Sequence, residues 1–203
     1  MQTLKTKPKL SFSPLHRYTL SEFSALPKPK DGSHYDLIGG YLFMVPPPAA
    51  PHDDLDDRLT RLLAQFISEN RIQGHIYHPQ AAIYLEEEWG TYLYPDMMYV
   101  SHDLKEQMGK KRTSADIVFE YSSPSTSTYD QTTKAHTYFA LGVPELWLIN
   151  SATSTIEVRY AGPIEKGIPT CEGWIFSIGD VAKSRVLSSW EVSVKELFAG
   201  LDQ

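Results

Sequence analysis

At 203 residues, with 41% hydrophobic and 22% charged side chains, the chain has an ordinary soluble globular composition and length enough for one domain with a real core. A formal net charge of −6 argues against broad neutralisation of nucleic-acid phosphates by clustered Lys and Arg, though not against an enzyme that brings a cation to a phosphate. No apolar run approaches the roughly 20 residues of a membrane span. The opening MQTLKTKPKLSFSPL lacks the apolar centre of a secretory signal, and a single cysteine, Cys171, excludes an internal disulfide framework or a thiolate zinc site, so the cytoplasm is the expected compartment.

Residues 1–30 are rich in Lys, Pro and Ser and read as an N-terminal extension; residues 31–203 read as one domain, without an internal repeat or linker. A short helix is expected over Thr19 to Leu26, with Ser21 as its cap. YDLIGGYLFMV, residues 35–45, reads as a β-hairpin turning on Gly39 and Gly40, and Pro46 to Pro48 end it. From Pro51 a helix is plain, because Leu55, Leu59, Leu62, Leu63, Phe66 and Ile67 have the spacing of one buried stripe. Asp53, Asp54, Asp56 and Asp57 crowd its first turns, where the helix dipole favours them. His52 stands at its start, as a capping or packing residue.

Residues 75–85 read as a strand interrupted at Pro79, and residues 92–101 as a strand with Pro95 and Asp96 near its start. Proline there signals a strand start, an edge or a bulge, so Asp96 is held where regular pairing is disturbed. A polar, Lys-rich surface helix and loop is expected over 102–114. Lys110, Lys111 and Arg112, like Lys5, Lys7 and Lys9 of the tail, read as solvated charge.

The stretch DIVFEYSSPSTSTYDQTTKAHTYFALGVPELWLIN, residues 116–150, organises the rest. It reads as strand, crossover helix and parallel strand. Ser127 and Asp130 have capping-box spacing, placing the helix start near Thr128 to Asp130, and Gly142 and Pro144 mark its end. Lys134 lies one turn in and shares a face with Tyr138 and Leu141. Its ammonium can swing toward Glu120 at the end of the first strand. After Asn150, STIEVRY, a Gly/Pro turn and EGWIFSI form an antiparallel hairpin, followed by a short strand and a helix around Val194 to Phe198.

Asp96 and Glu120 at strand ends, with Lys134 on the next helix, make a candidate hydrolytic centre. Paired carboxylates are the usual hard-oxygen ligands of Mg²⁺, which keeps several waters and bridges to phosphate oxygens. Such a metal acidifies a bound water and neutralises charge on the phosphoryl group. A nearby lysine can orient that water or stabilise the transition state. A purely structural ion pair between Glu120 and Lys134 explains the same residues.

The block VFEYSSPST…YDQTTKAHTYFALGVPELWLIN, with YPDMMYVS upstream, closely resembles a family of small bacterial proteins called "putative restriction endonucleases", within the PD-(D/E)XK nuclease superfamily. The resemblance covers nearly the whole chain, from YDLIGGYLFMVPPPAAPH to GDVAKSRVLSSWEVSVKELF. It implies an α/β fold with a restriction-endonuclease-like core: a mixed β-sheet flanked by helices, an N-terminal hairpin and C-terminal antiparallel strands. It implies Mg²⁺-dependent hydrolysis of DNA, with Mn²⁺ as a substitute. Asp96 and Glu120 match the metal-holding acids, with the Tyr121 carbonyl as a third ligand. The superfamily's usual lysine position is Ser122 here, and Lys134 matches the place to which this family's lysine has moved. His52 and Asp36 match positions that line the same cleft; Gln80 is a weaker auxiliary candidate. Tyr121 replaces a small aliphatic residue, Asp36 stands for a more usual Glu, and Asn150 for Asp; no proposed ligand is lost. A catalytically silent binding or regulatory module of the same fold, or a nuclease acting on RNA, fits the same residues. A homodimer would place two sites to cut both strands, although no residue marks one.

Overall fold

The computed structural model describes residues 16–48, 51–122 and 129–201. The cap expected at Ser127, the helix start at Thr128, the Ser/Thr/Pro turn before them and the tail lysines lie outside those residues. Strands β1 (His34–Ile38) and β2 (Tyr41–Val45) form the expected hairpin. Gly39 and Gly40 both take positive φ, 54° and 85°, as a two-residue turn matched to the strand twist requires. The short helix before it, α1 (Leu20–Ser24), is capped by Thr19 and not by Ser21. The reason is Glu22: its N–H donates to the Thr19 hydroxyl while its carboxylate accepts the Thr19 N–H. Ser21 has Ser24 three residues on and no such reciprocal partner.

Helix α2 (His52–Glu69) buries Leu55, Leu59 and Leu63, and Leu62, Phe66 and Ile67 flank that stripe, as the spacing predicts. The two strands expected after it are each divided. The strand predicted over 92–101 is two strands, β5 (Thr91–Leu93) and β6 (Met97–Ser101), which belong to different sheets. The interrupted strand at 75–85 divides likewise into β3 (Gly74–Tyr77) and β4 (Ile83–Leu85). Tyr77 pairs with Met98 and Ile83 with Leu93, so these four strands are one long hairpin bent between two sheets. Pro79 lies in the bend on one arm, Pro95 and Asp96 on the other. A residue without an N–H cannot carry a ladder across, and the chain changes sheets there.

Beyond α3 (His102–Met108), the surface helix expected, come β7 (Ile117–Ser122), a π-helical turn (Asp130–Lys134), α4 (Ala135–Ala140) and β8 (Glu145–Asn150). β7 and β8 are parallel neighbours, Glu120 opposite Leu148. Gly142, at φ 83°, closes α4: its N–H reaches the Phe139 carbonyl and the Val143 N–H reaches that of Tyr138. The C-terminal hairpin of β9 (Thr155–Glu165) and β10 (Ile168–Phe176) turns at Lys166 and Gly167, within the Gly/Pro stretch expected to hold the turn, and both strands run further into that stretch. Lys166 and Gly167 take φ of 52° and 80°, and Pro163 stays inside β9. The end of the chain adds two short paired strands rather than one, β11 (Val181–Lys183) and β12 (Glu191–Ser193), and then α5 (Val194–Leu197).

The sheet orders are β2-β1-β5-β4 and β10-β9-β8-β7-β6-β3, the larger one mixed as expected. Its two faces are covered by different cores. Ile117, Phe119 and Tyr121 point to α2 and the Trp147–Trp190 cluster, while Val118 and Leu148 pack with Ala135, Tyr138 and Phe139. A strand buried on both faces loses the alternation of a half-exposed one, which is why IVFEYS is buried throughout. No helix among the described residues is long and apolar enough to cross a membrane.

Glu145, from the GVPELW segment, belongs to this scaffold. It is fully buried, accepts the Trp147 indole N–H at 2.7 Å, and takes the Arg185 and Val186 N–H groups at 2.8 and 3.0 Å. It thereby fastens the chain leading out of β11 to the central sheet. Glu145→Ala strands three donors, and an unsatisfied buried donor costs about 1–3 kcal/mol. We expect a loss of about 3 kcal/mol or more in urea unfolding, from the same cost per donor; a loss below about 1 kcal/mol would contradict this role.

Candidate active site

β7 carries alternate side chains to opposite faces, and this splits the site into two connected halves. On the α4 face stands Glu120, 2% exposed. Its Oε2 accepts from Lys134 Nζ at 2.8 Å and its Oε1 from the Tyr138 hydroxyl at 2.6 Å. Lys134, itself 2% exposed, also donates to the Tyr94 carbonyl at 3.1 Å and lies 3.7 Å from Asp36 Oδ2. The spacing of Lys134 and Tyr138 thus delivers both donors to one carboxylate, as the shared helix face predicts.

Asp36 comes from the N-terminal hairpin and is fully buried. Its oxygens accept from the Tyr94 N–H at 3.0 Å and the Tyr129 hydroxyl at 2.9 Å. Tyr129 stacks on Phe43 of β2, centroids 5.0 Å apart, and the Gln131 carbonyl accepts from Arg159 at 2.6 Å. Both contacts hold the π-helical turn in register, and Lys134 closes that turn.

Asp96 sits at the edge of β7. Pairing of Met97 with Phe119 would continue to Pro95 opposite Tyr121, but Pro95 has no N–H to give the Tyr121 carbonyl and the ladder stops there. Asp96 Oδ2 instead accepts the Tyr121 N–H at 2.8 Å, replacing the missing strand partner. The N–H and C=O of one strand residue leave on the same edge, so the Tyr121 carbonyl faces the Asp96 side as well. The other Asp96 oxygen is 3.3 Å from His52 Nε2. On the α2 face the Tyr121 hydroxyl donates to Asp56 Oδ1 at 3.2 Å, and Asp56 Oδ2 lies 3.3 Å from His78 Nδ1. The His52 ring meets that of Tyr121 edge-on at 4.8 Å.

These contacts fix the charges. Burial alone pulls the Lys134 ammonium down, but Glu120, Asp36, Asp96 and Asp130 overcome it and push its pKa up, so it stays cationic. Burial pushes Glu120 well up against the pull of Lys134, and the Asp96 and Asp130 charges push the same way. Burial would raise Asp96 too, yet His52, Lys134 and the Tyr121 N–H hold it below the usual carboxylate range. His52 is raised, its burial outweighed by the bond to Asp96 and the charges of Asp96, Asp56 and Asp53. Lys134, with His52 beside Asp96, thus stands against Asp36, Asp56, Asp96, Glu120 and Asp130, and a further cation would suit this set.

Of the residues singled out from the sequence, Glu120, Lys134 and Asp36 are in one contact network, and Asp96 with His52 adjoins it through Tyr121. His52 is not a cap, since no side chain caps α2. Ser122 is buried and its hydroxyl is 3.5 Å from the Ile149 carbonyl on β8. Gln80 is exposed in the bend after β3, at φ 85°, on the wall of a neighbouring cavity. Sequence reasoning put Tyr138 on the Lys134 face without giving it a partner and named Tyr121 for its carbonyl alone, while Tyr129, the Tyr94 carbonyl and the Asp56–His78 pair are assembled only by the fold. Among the described residues no three His, Cys, Asp or Glu side chains are grouped to hold a metal by themselves. The donor set suits an ion that takes few protein oxygens and keeps its waters, as Mg²⁺ does.

The mixed α/β architecture, with its sheets flanked by helices, is that of a restriction-endonuclease-like fold. The crystal structure of a protein from Anabaena variabilis, described as a putative nuclease belonging to DUF820, superposes with a TM-score of 0.64 at 19% identity, covering 90% of this chain and 98% of that one. A family model described as "Uma2: Putative restriction endonuclease" matches residues 20–191, and the chain belongs to that family. No curated protein matches it.

Removing one partner of a buried pair leaves an uncompensated charge, at a cost of about 3–5 kcal/mol. Lys134→Met should destabilise the fold by about that much. Adding Glu120→Gln should restore part of it, with a coupling above about 1 kcal/mol in a double-mutant cycle of urea unfolding. Strict additivity would mean that the two residues do not interact.

Proposed function

We propose that the protein is a metal-dependent nuclease that hydrolyses phosphodiester bonds in DNA. The observation that carries this reading is the meeting of Asp96, the Glu120–Tyr121 strand end and Lys134 where β6 gives way to β5. Asp96, Glu120 and the Tyr121 carbonyl would hold Mg²⁺ or Mn²⁺, which supplies an acidified water and neutralises charge on the phosphate. Asp96, kept ionised by its neighbours, is ready as a ligand; Glu120 is held in place by Tyr138 and Lys134.

Lys134 is held cationic, so it acts as a donor and not as a base. Of its three N–H groups, two are engaged with Glu120 and the Tyr94 carbonyl, which leaves one for the reaction, with Asp36 Oδ2 3.7 Å from the nitrogen. That group would orient the attacking water and stabilise charge on the phosphoryl oxygens. A lysine delivered from the helix serves as well as one from the strand, because only the ammonium has to arrive. His52 would orient Asp96, and Asp36 would position Lys134. Two such sites in a homodimer would cut both strands together.

A silent module of the same fold is the rival, and the response to a divalent metal separates the two. With Mg²⁺ or Mn²⁺ the purified protein should nick or cut plasmid DNA, and Asp96→Ala should lower the rate by at least about 10²-fold. Mn²⁺ should raise the melting temperature of the wild type and leave that of Asp96→Ala unmoved. Equal cutting by both proteins would identify a contaminant and end the assignment.

A further inference from the structure

A cavity of about 560 Å³ opens behind the Lys134 cradle, within the roughly 300–1,000 Å³ of small-ligand sites. Phe23, Tyr92, Tyr94 and His34 line it, with Gln80 and Lys28 among the polar residues of its walls. Its rings are in mutual contact: Phe23 and Tyr92 lie 5.3 Å apart, Tyr92 and Tyr94 5.2 Å, and His34 and Tyr94 5.3 Å. Two of them belong to the site as well. The Tyr94 carbonyl accepts from Lys134, and His34 Nε2 is 3.8 Å from Asp36. The cavity and the proposed reaction centre thus share a wall.

Its chemistry is specific. Aromatic faces take flat, polarisable rings, and stacking on them needs no particular sequence. The His34 Nε2 atom is buried without a hydrogen-bond partner among the described residues and lies 3.8 Å from Asp36, so the ring, and not this nitrogen, lines the wall. Burial pulls this imidazole down, against Asp36, which leaves it neutral and able to donate or accept. Gln80 offers both donor and acceptor, and it is kept at φ 85°, a conformation that non-glycine residues adopt only at a cost. Lys28 is exposed and lines the same cavity. Stacking faces, a bidentate amide and a single cation are the means by which proteins hold an unstacked nucleobase.

We propose that this cavity binds an unpaired nucleobase of the strand whose phosphate lies at Asp96 and Glu120, making single-stranded nucleic acid, or an extruded base, the preferred ligand. This rests on the nuclease reading for the kind of ligand, yet it concerns binding and not cutting. With Lys28 the cation among the cavity's named residues, stacking and not phosphate neutralisation carries the affinity. Salt dependence is then shallow.

Fluorescence anisotropy tests it, using the full chain without divalent cations and labelled oligothymidylate, oligouridylate and a duplex. Wild type should bind a single strand at least about tenfold more tightly than the duplex. Between about 50 and about 200 mM salt its affinity should fall by less than about tenfold, as one or two phosphate contacts allow. Tyr92→Leu should weaken single-strand binding by about tenfold or more. Phe23→Ala, on the surface helix α1, should do the same and guards against a folding defect at Tyr92. The arm that binds more tightly names DNA or RNA as the source of the base. The preference should survive in Asp96→Ala, which supports the cavity even if no cleavage is ever seen. Equal binding of strand and duplex, a steep salt dependence, or folded Tyr92→Leu and Phe23→Ala proteins with unchanged affinity would overturn the proposal, and DNA cutting could still stand.

Discussion

Lys134 is buried with its charge intact, and that one fact constrains the structure around it. An isolated ammonium away from water is costly enough that it would lose its proton or find partners. Here the partners arrive from three separate parts of the sequence: Glu120 from the central strand, Asp36 from the N-terminal hairpin and the Tyr94 carbonyl from the bend between sheets. Each is itself buried or tied to another group, so the lysine acts as the pin through which the small sheet is joined to the large one. A hydrophobic residue of similar volume would relieve the desolvation cost. The chain keeps the charge instead.

The bend in the long hairpin is the second constraint, and it is made by backbone chemistry. Proline at position 95 ends the β6 ladder, and the next residue supplies from its side chain the acceptor that a strand neighbour would have given. Asp96 is therefore both a structural cap for the Tyr121 N–H and a carboxylate presented at the edge of the sheet. The same interruption turns Tyr94 so that its carbonyl meets Lys134 and its N–H meets Asp36. Two carboxylates and one ammonium are located by a single break in regular pairing.

Much of this was legible in the sequence because it rests on local rules. The hairpin at Gly39 and Gly40, the stripe of α2, the parallel pairing of VFEYS with ELWLIN and the stop at Gly142 each follow from periodicity or turn chemistry within a few residues. Where local rules give two answers, reading failed. Residues 92–101 look like one strand because the switch of sheets is decided by which upstream segment each half pairs with, β4 for Leu93 and β3 for Met98. Ser21 and Thr19 are both good caps by type, and only the reciprocal Glu22 contact separates them. The Gly/Pro stretch before EGWIFSI offers two glycines for a turn, and only the pairing of β9 with β10 selects Lys166 and Gly167 within it.

The candidate site divides in the same way. Asp96, Glu120 and Lys134 could be picked out since each sits at a position set by strand or helix geometry. Tyr129, Asp56 and His78 could not, because what makes them matter is contact across 22 to 93 residues of chain. Glu145 shows the converse: an acid in a segment rich in family character whose three bonds are all to the scaffold. A carboxylate in such a chain becomes part of a reaction centre through what is left unmet around it. The two oxygens of Glu145 are taken up by three donors, all of them neutral N–H groups of the framework. At Asp96 and Glu120 the donors include the charged groups Lys134 and His52, set against several carboxylates, and the surplus is what a metal ion would complete.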